Sequence, residues 1–156
     1  MRELSDRVTT GNPKVVKLET ELKIDPGAST PIVIAGNGGT VVLFRLANEN
    51  SQSMGIFRAS SVRIKYGEPN DEGLSTHPLH PYGLGYYGIF EVLRSPWIAA
   101  ESQIDHSHMS DVDLRHLILT FHDSTFECLT SDFELRHELK MTPELILALV
   151  RSVSGA

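Results

Sequence analysis

The chain has 156 residues, the size of one ordinary globular domain, with 40% hydrophobic and 22% charged residues. That balance excludes disorder of the whole chain, and its apolar runs fall far short of the ~20 residues a bilayer span demands. Fourteen Lys and Arg against twenty Asp and Glu give a net charge of −6 without a basic run, which argues against nucleic acid and anionic membranes as partners.

Residues 1–30 carry charge throughout and lack an apolar signal region. The lone cysteine, Cys128, rules out an intrachain disulfide and fits a reducing compartment. A cytoplasmic location is the expectation.

Residues 1–13 are polar and end in Gly11-Asn12-Pro13, which predicts a flexible N-terminal arm. Residues 14–24 alternate: Val16, Leu18, Leu22 and Ile24 share one face with Thr20, and Lys17, Glu19, Glu21 and Lys23 the other. Period two predicts a strand with one wet face. Asp25-Pro26-Gly27 ends it with a turn. Residues 31–35 and 40–47 are β-rich and flank Gly36-Asn37-Gly38-Gly39, a hairpin signal. This glycine cluster lacks the lysine and following helix of a phosphate-binding loop. After a polar loop at 48–53, residues 56–66 extend the sheet.

Residues 67–85 hold Pro69, Pro78 and Pro81 among Gly67, Gly73, Gly83 and Gly85. This predicts a long irregular loop, of a length that usually marks function or mobility. Ile89, Phe90, Val92 and Leu93 form an apolar pattern read as a short helix ending near Arg94. Ser95-Pro96 then caps a second helix. Residues 102–113 read as a loop and 114–121 as a strand. His122-Asp123-Ser124 reads as a tight turn, with residues 125–130 returning as a hairpin strand. Thr142-Pro143-Glu144 caps a closing helix to about Val153, with Leu145, Leu149 and Ser152 on one side and Ile146 and Val150 beside them.

Three groups of residues could carry chemistry. Imidazole is a frequent metal ligand, and His77, His80, His106 and His108 form two loop pairs, although their spacing matches no closed metal pattern. Residues 121–128 gather His122, Asp123, Ser124, Glu127 and Cys128, but neighbours on a tight turn more often bond their own backbone than converge as a triad. Phe121 and Phe126 are expected to face each other across this hairpin, with Cys128 buried on the face of Phe126. Tyr82, Tyr86, Tyr87, Phe90 and Trp97 cluster beside the glycine-rich loop. Tyrosines there suit a contact surface, while Phe90 and Trp97 suit packing of helix on sheet. Glu91, between Phe90 and Val92, is expected either on an exposed helix face or pointing into the loop's pocket.

The expected fold is α+β: a mainly antiparallel sheet with a C-terminal helix and short middle helices packed on it, one domain over residues 14–156. The expected function is a small binding or interaction domain for a protein or small molecule, without cofactor or evident catalytic machinery. Its surface would comprise His77, His80, Tyr82, Tyr86, Tyr87, His122, Asp123 and Ser124. One rival is a metal-assisted hydrolase with His77, His80, His106 or His108 as ligands and Asp123 or Glu91 as base. Another is a structural subunit of a homo-oligomer.

Overall fold

A computed structural model describes residues 11–28, 30–47, 52–104 and 113–155. The described strands are β1 (Lys14–Lys17), β2 (Ile32–Gly36), β3 (Gly39–Arg45), β4 (Met54–Gly67), β5 (Ile89–Leu93), β6 (Arg115–Thr120) and β7 (Thr125–Glu138). The helices are α1 (Pro96–Ile104) and α2 (Pro143–Val153). Every strand pairing is antiparallel, in the spatial order β1-β5-β6-β7-β4-β3-β2. The expected antiparallel sheet with a C-terminal helix is thus present, and the sheet so dominates that α+β describes the fold loosely. No helix among the described residues is long and apolar enough to cross a membrane.

β4 and β7 are fourteen residues each and serve two half-sheets. The first half of β4 pairs with β3 and with the end of β7, and its second half pairs with the start of β7, which also pairs with β6. Register shifts around Ser61 separate the two regimes, and such irregularities bend a strand. The bend lets the inner faces of both halves share one core. Val42, Phe44, Phe57 and Ala59 come from one half, and Ile89, Leu117, Leu119, Phe126 and Cys128 from the other.

Each outer face has its own cover. Val41, Leu43 and Ile56 are roofed by Leu149 and Val153 of α2. Val15, Phe90, Val92 and Ile118 are roofed by Leu74, Leu79 and Leu84 of the 67–88 segment. The proline- and glycine-rich segment is therefore packed rather than loose. It contains two single 3-10 turns, Leu74–Thr76 and His80–Tyr82, which the sequence reading missed.

Other expectations are corrected. Residues 89–93 form strand β5, not a helix. Both its faces are covered, Ile89 and Glu91 inward and Phe90 and Val92 outward, so apolar residues fall on both faces and leave no polar alternation to separate strand from helix. The strand expected over 14–24 stops at Lys17, and Ile24 makes only an isolated bridge with Leu46. Val15 is buried and Val16 only half-buried, because the outer face of β1 is also roofed. The turn at His122 and Asp123 places Leu119, not Phe121, opposite Phe126. Phe121 instead packs on Phe44, with ring centroids 5.7 Å apart. Helix α1 runs through Ile104, beyond the expected loop start at 102. In α2, Leu149 and Val153 are buried and Leu145 packs beside them, but Ile146 and Val150 remain exposed.

The hairpin at Gly36–Gly39 and the cap of α2 match the sequence. Gly38 N–H donates to the Val153 carbonyl at 2.9 Å, so the hairpin tip docks on the end of α2. A Cβ on Gly38 would come within 2.7 Å of the Ser152 carbonyl oxygen, which is why glycine is needed there. Thr142 Oγ1 accepts from Leu145 N–H at 3.2 Å.

Candidate functional site

The outer faces of β4, β6 and β7 carry a buried carboxylate. The register sets Ile118 opposite Glu127 and Glu127 opposite Lys65, with His116 opposite Leu129 one step along. Side chains directly opposed in a sheet share a face. Glu127 therefore projects outward beside His116 and Lys65, beneath the 77–79 turn and helix α1.

Two imidazoles hold the carboxylate. His77 Nε2 lies 2.7 Å from Oε1, and His116 Nε2 lies 2.8 Å from Oε2. Leu79 N–H donates to His77 Nδ1 at 3.1 Å, so the His77 proton sits on Nε2 and is donated to Glu127. Ser95 Oγ lies 2.8 Å from His116 Nδ1 and accepts from Ile98 N–H at 3.2 Å as the cap of α1. The coherent arrangement has Ser95 donating to Nδ1 and His116 donating from Nε2 to the carboxylate. Burial pushes the Glu127 carboxyl up, but the hydrogen bonds from His116 and His77, together with the positive charge those rings carry when protonated, outweigh it and hold it down at about 2. The side chain is 11% exposed, and a buried carboxylate persists only when bonded in this way.

Above this floor lies a cleft of about 400 Å³ lined by Lys65, His77, Pro78, Leu79, Pro96, Trp97, Ala100, His116 and Glu127. The Trp97 ring stands edge-on to His116 with centroids 5.3 Å apart, and the Lys65 ammonium sits 3.9 Å from the centre of its ring system. Trp97 Nε1–H donates to Glu101 at 3.3 Å, and Glu101 pairs with Arg63 at 3.4 Å, which ties α1 to β4.

A second cluster sits at the β6–β7 turn. Asp71 Oδ2 accepts the Tyr87 hydroxyl at 2.5 Å and lies 2.7 Å from His122 Nδ1. Asp71 N–H also donates to the His122 carbonyl at 3.0 Å. The Tyr87 hydrogen bond, ahead of His122, lowers the Asp71 carboxyl against the opposing pull of burial. The Asp71 hydrogen bond and charge raise His122, and the Asp71 bond raises Tyr87. His122 Nε2 stands 3.7 Å from Asp123 Oδ1 on an exposed surface.

The proposed surface residues are thus divided. His77 belongs to the Glu127 site, while Tyr87 and His122 meet at Asp71. His80 packs edge-on to Tyr86, 6.5 Å between centroids, and Tyr82 and Tyr86 are exposed. Asp123 accepts from Thr30 Oγ1 at 3.4 Å. Ser124 is buried and its carbonyl accepts from Phe121 N–H. His106 and His108 lie outside the described residues. Both nitrogens of His77 are engaged in hydrogen bonds, and among the described residues no group of three or more His, Cys, Asp or Glu is placed to hold a metal. Glu91 is neither on an exposed helix face nor in the loop's pocket. It is buried on β5 in a two-point ion pair with Arg115, at 2.9 and 2.6 Å, which raises the guanidinium further. Cys128 is buried on the inner face with its thiol pushed up to about 12 by burial.

The reading from sequence missed Glu127 as a centre, along with His116, Ser95, Asp71 and Lys65. No protein-family model, curated protein or solved structure matches the chain.

Proposed function

We propose that the chain is a small-molecule binding domain whose site is the cleft between α1 and the 77–79 turn. The observation that carries this reading is the pairing of a buried, ionised Glu127 with an otherwise apolar wall of Pro78, Leu79, Pro96, Trp97 and Ala100. Ligand sites commonly combine apolar walls with a few fixed polar groups. Both histidines are oriented by second partners, so the polar floor is set before any ligand arrives.

Trp97 is the only tryptophan, so its emission reports on the cleft directly. Titration with fragments of mixed charge should yield a saturable change in emission, lost in Ala100→Phe, which fills the cleft from an exposed helix position. Silence across the fragments, or binding unaffected by Ala100→Phe, overturns the reading.

One arrangement favours a second reading, a serine hydrolase. Ser95, His116 and Glu127 join a hydroxyl, an imidazole and a carboxylate in the order such enzymes use. Against it, Ser95 is 3% exposed, does not line the cleft, and spends its hydroxyl on capping α1. A fluorophosphonate adduct on Ser95 by mass spectrometry would support the hydrolase; unlabelled Ser95 in folded protein removes it.

A further inference from the structure

We infer that the cleft selects a small organic ammonium: one positively charged amine on an apolar body. The inference rests on the cleft being a binding site. It goes further by assigning the charge of the ligand.

Three features of the cleft agree on a cation. The first is the floor. The hydrogen-bond partners of the Glu127 carboxylate among the described residues are the two histidine rings. His77 accepts at Nδ1 and therefore donates as a neutral ring. With Ser95 donating to His116, the hydrogen bonds run toward the carboxylate and stabilise its negative charge without cancelling it. In an apolar cleft such a charge is felt more strongly than in water.

The second feature is the wall. The face of an indole attracts cations, and the Trp97 face already holds one, the Lys65 ammonium at 3.9 Å. Lys65 is exposed and reaches this place from a strand position directly opposite Glu127. It is an ammonium on an alkyl stem lying in the cleft. The chain thus supplies an internal example of the ligand class, held by the same aromatic face a free amine would use.

The third feature is the remaining lining. Pro78, Leu79, Pro96 and Ala100 offer no side-chain hydrogen-bonding group. They suit the hydrocarbon body of an amine and give nothing to a polyol or a phosphate. Lys65 is then a competitor to be displaced, and its removal should strengthen binding. For an anionic ligand Lys65 would be the anchor, and its removal should weaken binding.

The test uses phenethylammonium chloride with two near-isosteres, 2-phenylethanol and 3-phenylpropionate, read by Trp97 emission in the full chain at neutral pH. Phenethylammonium should produce a saturable change that the alcohol and the acid do not. Lys65→Met keeps the apolar stem and should tighten ammonium binding about three-fold, the scale of an exposed cation–π contact. Glu127→Gln should abolish it. Because Glu127→Gln removes a buried anchor and can unfold the chain, Lys65→Met, on an exposed side chain, carries the decision. Binding of the acid, lost in Lys65→Met, overturns the cation while leaving the cleft a binding site. Equal binding of the alcohol does the same. Weaker or unchanged ammonium binding in Lys65→Met also overturns the inference. If none of the three probes moves Trp97 the inference falls, and the cleft reading falls with it only when the mixed-charge fragments are silent too.

Discussion

Lys65 and Glu127 stand directly opposite each other on β4 and β7, yet the carboxylate takes its hydrogen bonds from two histidines while the ammonium rests over Trp97. Opposite charges at such positions usually meet across the strands. Here helix α1 and the 77–79 turn insert partners of their own, and the cleft lies among them.

The carboxylate sets an acid limit on stability. Glu127 ionises at about 2 in the fold against the usual 4.5. A lowered carboxyl stabilises the fold above its unfolded value, and that stabilisation is lost as pH falls from 4.5 toward 2, up to about 3 kcal/mol in all. Urea denaturation should show Glu127→Gln markedly weaker than the parent at neutral pH, with the gap closing through that window. A gap that is constant with pH would assign the acid sensitivity elsewhere.

The Asp71–His122 contact has a different window. A raised His122 stabilises below the usual 6.5 and loses that contribution as pH rises through its folded value, whereas a lowered Asp71 contributes above 3.8 and loses it on acidification. The contact is therefore strongest between those two values. NMR titration should place His122 above 6.5 in the parent and lower it in Asp71→Asn. An unchanged His122 titration in that variant would remove Asp71 as the cause.

Cys128 should be inert in the native state. It is fully buried and its thiol is pushed up to about 12, so little thiolate exists to react. A chromogenic disulfide should label it slowly in native protein and rapidly in denaturant. Fast native labelling would contradict its place in the core.

Helix α2 should show a graded response. Thr142→Ala removes the acceptor for Leu145 N–H and should cost about 1 kcal/mol. Leu149→Ala opens the outer core against Val41, Leu43 and Ile56 and should cost roughly 2–5 kcal/mol. Ile146→Ala, on the exposed side, should be much milder. Thermal denaturation ranks the three, and equal losses would mean that the helix docks differently.

Much of the sheet was legible because its signals are local. Gly36–Gly39, the turn at His122 and Asp123, and the Thr142 cap each need only a few adjacent residues. β5 was misread because both faces of Ile89–Leu93 are covered, leaving no alternation to separate strand from helix. The Glu127 site was partly within reach. Once the turn is centred on His122 and Asp123, the register alone puts Glu127 opposite Ile118 and one diagonal from His116. What could not be read is the arrival of His77 and Trp97 from two other segments. Their convergence depends on how the 67–88 segment and α1 fold down over the sheet, which no short-range pattern encodes.

The long pairing of β4 with β7 also has a consequence for folding kinetics. β7 supplies a strand to both half-sheets, and its end, near Glu138, pairs with Met54 at the start of β4. During synthesis neither half-sheet can close until β7 emerges, so one edge of β4 and one edge of β6 wait with unpaired backbone. Such non-local pairing slows folding and exposes strand edges to association. The newly made chain should consequently depend on chaperones more than its modest size suggests, and refolding yield should fall steeply with protein concentration.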